Sequence, residues 1–297
     1  MLQVCGHVHG LALRLGDAST SSLIMFRSSS PPLLRRNCGC GRLARGTQAG
    51  VAAPIVALQS SQISEGMAEG LNSKAVRPLI KMCGITSPED AAVAARAGAT
   101  YIGMIVWPKS KRSVTVSLAQ EIAAAARENG AEPVGVFVDE DAEQIERACN
   151  DAKLGIAQLH GDGARASLLQ GLPESLKVIY VLHANKNGII QTKFPESSEG
   201  SPLVDWVLVD SLQGGSGEQF DWRNFRAPSM QSRRGWLLAG GLTPSNVATA
   251  LSLVTPNAVD VSSGIAGPDG IRKDPARIQA FVHAVQNSDL FNDVGSR

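Results

Sequence analysis

The stretch IKMCGITSPEDA, residues 80–91, contains one complete strand-to-helix transition. An apolar run that reads as a strand, 76–82, stops at Cys83-Gly84, and a helix start follows. Ser87 suits the N-cap, Pro88 the first helical position, and Glu89 and Asp90 bring negative charge to the first turn. Cys83 thus stands at the C-terminal lip of the strand, followed by a glycine that leaves room around it. There it reads either as a small packed hydrophobe or as a chemical group. Whether the chain repeats this transition decides the fold.

It does. Strand candidates fall at 78–83, 100–106, 133–138, 155–160, 177–183, 205–210, 235–240 and 257–262. Helical patterns lie between them at 88–97, 117–129, 141–151, 163–171, 222–226, 244–253 and 274–286, with a poor fifth unit around 184–204. Near-continuous apolar runs suit strands buried on both faces of a parallel sheet. Strand and helix alternating through eight units predict a (β/α)8 TIM barrel. An open doubly wound sheet is the alternative, but no G-x-G-x-x-G loop follows the first strand. The fifth unit, polar and rich in Gly, Pro and Ser, reads as a surface insertion with at most a short helix.

Composition bounds the function. With 43% hydrophobic and 19% charged residues and a net charge of +1, the 297-residue chain reads as soluble and globular, with nothing overall to attract nucleic acid or an anionic membrane. Aromatic residues at 4% do not supply base-stacking surfaces. The charge is uneven, however. Of the 28 basic and 27 acidic residues, six arginines and Asp17 lie in 1–64, leaving 22 against 26 beyond it, a net of −4. An Arg-rich, Ser-rich, acid-poor leader has the composition of an organelle transit peptide. Residues 1–70 are therefore expected to be a disordered leader and 71–297 a single barrel domain. Cys5, Cys38 and Cys40 lie in the leader, so Cys83 and Cys149 alone remain in the body and no disulfide framework is implied.

In such a barrel the chemistry sits at the C-terminal ends of the strands, and there the chain is polar. Strand 7 runs into Gly240-Gly241 and strand 8 into Ser262-Ser263-Gly264. Barrels of this kind bind phosphate at those two loops, where backbone N–H groups meet the anion. Asp210 ends strand 6, placed to serve as a proton donor or equally as a cap or ion-pair partner. Arg112 is one of three cations, with Lys109 and Lys111, on the loop after strand 2. Such a run is ordinarily a solvated face, but arginine suits a bidentate grip on a carboxylate. His160 follows strand 4, where a lone histidine is more often structural than catalytic, and His183 has no recognisable partner. No spacing of residues suggests a metal site. Lys81, two residues before Cys83, shares its face of strand 1; if that face is the interior, its ammonium needs a partner, and Asp260 on strand 8 is the candidate.

Read together, KMCGITSPEDA, WPKSKRSV, GVFVDE, QLHGD, LVDSLQGGSGEQFDW, LAGGLTPSNV and VDVSSGI…RKD occur in the order of the motifs of the phosphoribosylanthranilate isomerase family, across residues 77–286. The chain resembles that family, and the leader resembles those of its plastid-targeted plant and algal members. The resemblance implies a single barrel without cofactor or metal, acting on a small phosphorylated substrate as monomer or homodimer in the chloroplast stroma. It implies an Amadori rearrangement of tryptophan biosynthesis, from N-(5-phosphoribosyl)anthranilate to the 1-deoxyribulose 5-phosphate product. It further implies Cys83 as general base, Asp210 as general acid, Arg112 as the clamp on the anthranilate carboxylate, and Gly240, Gly241, Ser262, Ser263 and Gly264 as the phosphate cradle. Lys81, if Asp260 does not neutralise its effect, is then expected to give Cys83 thiolate character. Ala266 departs from the acidic residue common after Ser-Ser-Gly in the family. Among other phosphosugar barrels, indole-glycerol-phosphate synthase would want a lysine and glutamate set at strand ends. The aminoaldose isomerase of histidine biosynthesis would want an aspartate where Cys83 stands. A non-catalytic barrel binding a phosphorylated metabolite is the competing class.

Overall fold

In the computed structural model, which describes residues 77–195, 202–212, 217, 219–227 and 231–288, eight parallel strands close into a barrel in chain order. They are β1 (Leu79–Met82), β2 (Tyr101–Ile105), β3 (Glu132–Phe137), β4 (Ile156–Leu159), β5 (Lys177–Ala184), β6 (Trp206–Ser211), β7 (Trp236–Leu238) and β8 (Ala258–Val261). Around them lie α1 (Pro88–Ala97), α2 (Val116–Glu128), α3 (Ala142–Asp151), α4 (Asp162–Gln170), α5 (Val247–Leu253) and α6 (Pro275–Gln286). The closing seam pairs β1 with β8, with Lys81 beside Asp260 in register.

Local chemistry starts the helices where the sequence places them. Ser87 accepts a hydrogen bond from the Asp90 N–H at 3.2 Å, with Pro88 at the first turn of α1. Asp141 and Gln144 form a reciprocal capping box at the start of α3. α6 begins with Asp274 accepting from Ala276 and Arg277 before an apolar face of Ile278, Phe281, Val282 and Val285. Each such side chain, fully buried, contributes about 1.5–3 kcal/mol.

Strand alternation sorts the core into two parts. Ile80, Met82, Ile102, Met104 and their counterparts meet the helices in the outer layer. Leu79, Tyr101, Val134, Ile156, Ile179, Val181, Trp206, Leu208, Leu237 and Ala258 fill the inside. Lys81, at 0% exposure, interrupts that apolar filling. Because the period is two, one further step along each inward row reaches the rim, at Cys83, His160, Asp210 and Ser262.

Three expectations need correction or narrowing. Residues 222–226 are not a helix but a turn, in which the Asp221 carboxylate accepts the N–H groups of Arg223 and Asn224 at 2.9 and 3.3 Å. Five residues are too few to offset helix nucleation, and the aspartate offers the backbone a local alternative. The helix expected at 244–253 begins at Val247, because Asn246 accepts the Thr243 N–H at 2.8 Å and holds the preceding residues in a turn. In the fifth unit, the described residues after β5 form a turn built on Asn185, whose side chain accepts from Asn187 and Ile189. The leader, 1–70, lies outside the described residues, as do 196–201 of the insertion and 213–216 and 218 of the loop after β6.

Candidate active site

The C-terminal rim encloses a cavity of about 520 Å³, lined by Cys83, Arg112, Gln158, His160, Asp210, Gly240, Gly241, Asp260, Ser262 and Ser263, among others. Lys81 lies just beneath, fully buried, and Gly264 sits where the loops after β7 and β8 meet. The structure thus brings the other candidates named from the sequence to one rim.

β1 delivers Cys83. Its N–H donates to the Val261 carbonyl at 2.8 Å, extending the β1–β8 ladder by one residue, and its own carbonyl accepts from Ser262 Oγ at 2.9 Å. Space for the sulfur comes from across the barrel wall: a Cβ on Gly103 of β2 would lie 2.7 Å from Cys83 Sγ and 3.2 Å from Lys81 Nζ. Nothing in the sequence marked Gly103, since the contact is non-local.

The expected ion pair is present, with Lys81 Nζ 2.8 Å from Asp260 Oδ1. Burial alone would lower the Lys81 pKa, but Asp260 and Cys83 facing it leave it raised, so the lysine is a cation. Lys81 pulls the Cys83 thiol toward the thiolate, as expected, but does not prevail. Burial pushes the thiol up, and the Asp260 charge adds to that, outweighing the pull of Lys81 and Lys273.

Asp210 closes β6 beside His183 of β5. Burial and the charge of Asp260 push its carboxyl up to about 7, although the Ser211 N–H, donating at 2.8 Å to Oδ1, and Lys81 oppose the shift. A carboxyl in that state holds a proton near neutral pH.

Arg112 departs from the solvated-face reading. Lys109 stays exposed, 3.3 Å from Asp139, while Arg112 turns inward to 4% exposure, its Nη1 donating to the Gly270 carbonyl at 3.5 Å. Gly84, at φ +66°, admits it: a Cβ there would meet Arg112 Cδ and Nε at 2.9 Å. The glycine after Cys83 therefore makes room for the arginine rather than for the cysteine.

The two glycine-rich loops meet at Gly264, where a Cβ would lie 2.0 Å from the Leu242 carbonyl oxygen. Ser263–Ile265 form a short 3₁₀ turn at that seam. His183, for which the sequence offers no partner, does have partners: the His160 ring stands edge-on to it with centroids 5.1 Å apart, and Thr192 Oγ1 lies 3.4 Å from its Nδ1. Burial lowers the pKa of His160 to about 3, with His183, Lys81 and Arg165 adding to the shift. Burial, with Arg165, takes His183 to about 4. Both rings are neutral at physiological pH. Gln158, 2% exposed on the cavity wall, has an Oε1 without a hydrogen-bond partner among the described residues. Among the described residues no group of three or more His, Cys, Asp or Glu is arranged to hold a metal ion.

The family model for N-(5'phosphoribosyl)anthranilate (PRA) isomerase matches residues 80–284. A chloroplastic N-(5'-phosphoribosyl)anthranilate isomerase of Arabidopsis thaliana is 54% identical over 211 residues, 71% of this chain and 76% of that one. A solved structure of monomers of the dimeric phosphoribosylanthranilate isomerase of Thermotoga maritima is 29% identical with a TM-score of 0.55, covering 70% of this chain and 98% of its own. A phosphoribosyl anthranilate isomerase in complex with reduced 1-(o-carboxyphenylamino)-1-deoxyribulose 5-phosphate is also 29% identical, with a TM-score of 0.52 and the same coverage.

Proposed function

The chain belongs to the N-(5'-phosphoribosyl)anthranilate isomerase family, and from that premise we propose how its own residues carry the family's aldose–ketose isomerisation in tryptophan biosynthesis. Asp210, protonated, gives its proton to the furanose ring oxygen as the ring C–O bond breaks, opening the sugar to an imine. The imine acidifies the C2′ proton, which Cys83 removes as thiolate, and the resulting enamine reorganises to the ketose. Arg112 grips the anthranilate carboxylate, and Gly240, Gly241, Ser262 and Ser263, with Gly264 holding the two loops together, cradle the phosphate. The observation that carries this reading is Asp210: a carboxyl on the cavity wall raised to about 7 by burial and by Asp260 is the proton donor this ring opening requires.

The proton bookkeeping has a consequence. With Asp210 titrating near 7 and the Cys83 thiol pushed up, the main singly protonated form is ionised Asp210 with neutral Cys83. The productive form, protonated Asp210 with thiolate Cys83, is its minor tautomer, and the two groups titrate as a pair. Lys81 favours the thiolate in that tautomer, which gives it a supporting role. His160, held neutral, serves as wall and hydrogen-bonding group rather than as acid.

The assay follows loss of phosphoribosylanthranilate fluorescence in wild type, Cys83→Ser and Asp210→Asn. Loss of turnover in both variants with binding retained supports the assignment, and undiminished rates in both overturn it. A wild type that binds without turnover would instead favour a metabolite-binding barrel.

The Arg-rich leader and the chloroplastic relative together support plastid targeting through residues 1–70 ahead of the barrel. Fusing that segment to a fluorescent reporter tests it: import into plastids is expected, and a cytosolic or mitochondrial signal refutes it.

A further inference from the structure

Lys273 is the best-buried cation near the rim after Lys81 and Arg112, at 5% exposure. Its Nζ donates to the Ser262 carbonyl at 3.0 Å, and among the described residues no carboxylate lies within ion-pair distance of it. A buried ammonium whose hydrogen-bond partner is a neutral carbonyl has its positive charge only partly compensated, which is costly unless an anion comes near.

Its position is fixed from both sides. The Asp90 carboxylate of α1 accepts the Lys273 backbone N–H at 2.9 Å and grips the Arg272 guanidinium with two bonds of 2.9 and 3.0 Å. An antiparallel bridge between Ala266 and Lys273 folds the segment back on the cradle loop. The Ser262–Ser263 peptide is planar and trans, so holding its carbonyl toward Lys273 turns the Ser263 N–H to the opposite side. Ser263 lines the cavity, and Lys273 is not among the lining residues.

We propose that Lys273 is a positioning residue of the phosphate cradle: its ammonium holds the Ser262 carbonyl, so that the Ser263 N–H faces the substrate phosphate, and it sets a positive charge behind that peptide. The inference rests on reading Ser262, Ser263 and Gly264 as the phosphate-binding loop. The groups facing the ammonium are Arg112 from the β2–α2 loop, Cys83 from the end of β1, Asp260 from β8 and Asp90 from α1. Burial, reinforced by Arg112, lowers the lysine to about 8 against the pull of the other three. Its proton is thus lost just above physiological pH.

The test measures KM, kcat and inhibition by inorganic phosphate in wild type, Lys273→Met and Ser263→Asp. Phosphate affinity is also followed against pH in Cys83→Ala, so that thiol ionisation does not intrude. Losing a hydrogen bond from a charged donor predicts that Lys273→Met raises KM and the phosphate inhibition constant about tenfold or more, with kcat changed less than about threefold. Phosphate affinity in Cys83→Ala falls as pH rises through about 8, and adding Lys273→Met removes that step. If Ser263→Asp weakens phosphate binding but Lys273→Met does not, the cradle stands and the role of Lys273 is refuted. If Ser263→Asp leaves phosphate binding intact, the cradle reading itself fails. Should Lys273→Met not fold, the pH step in Cys83→Ala decides, and its absence overturns the proposal.

Discussion

Lys81 Nζ and Asp260 Oδ1 meet at 2.8 Å across the seam where β1 and β8 close the barrel, directly beneath Cys83. This pair acts on both titrating groups of the site. Asp260 pushes both Asp210 and the Cys83 thiol up, while Lys81 pulls both down. Burial decides the net direction.

Removing one member of this pair leaves the other buried and uncompensated. Lys81→Met is expected to cost about 3–5 kcal/mol of stability, as breaking buried pairs generally does. The double variant Lys81→Met/Asp260→Leu should recover part of that loss in denaturant unfolding. In Lys81→Met the Cys83 thiol loses its largest opposing charge, so its alkylation profile, followed by peptide mass, shifts to higher pH. An unmoved profile would show that the charge of Lys81 does not reach the sulfur.

The tautomer argument fixes the shape of the pH profile. Below about 7 both groups hold protons, and kcat/KM rises as pH rises through that value. It then holds level and falls only when Cys83 also ionises, above the ordinary thiol range. Asp210→Asn should lose about 10²- to 10⁴-fold in kcat, the usual value of a positioned proton donor. A wild-type profile falling through 7 as pH rises would refute the minor-tautomer account.

Asp210 also links stability to pH. Its folded pKa is raised, so the protonated carboxyl stabilises the fold fully below its unfolded value near 3.8 and loses that contribution as pH rises through about 7. Asparagine does not titrate. Relative to wild type, Asp210→Asn should therefore gain roughly 2–3 kcal/mol between pH 5 and pH 8, read from urea midpoints at the two pH values.

Gly103 tests positioning without adding or removing a charge. Alanine there places Cβ 2.7 Å from Cys83 Sγ, so the short thiol side chain must swing aside. A displacement of about 1 Å at a reacting group can cost on the order of 10²-fold, and we expect that loss in kcat for Gly103→Ala. Its melting transition should move little. Wild-type kcat would mean that Cys83 is not held at the reacting atom.

How much of this was legible in the sequence depends on how far each cause reaches along the chain. Strand alternation and helix caps are set by neighbours a few residues apart, so the eight units, the rim and the cap at Ser87 could all be read directly. The insertion after β5 and the turn at 222–226 blurred because short polar segments have no period. The Lys81–Asp260 pair could be anticipated only because barrel closure brings strand 8 beside strand 1.

By itself, then, the sequence determined the barrel, the order of its strands, and that Cys83, Arg112, Asp210 and the two glycine-rich loops share one end. Tertiary structure alone decided which way the chemistry runs there. It turned Arg112 inward past Gly84, set Gly103 against Cys83, joined His160 to His183, and buried Lys273 behind Ser262. Most of all it raised Asp210 and the Cys83 thiol together, because desolvation and charge–charge energies depend on distances through space that no local pattern encodes.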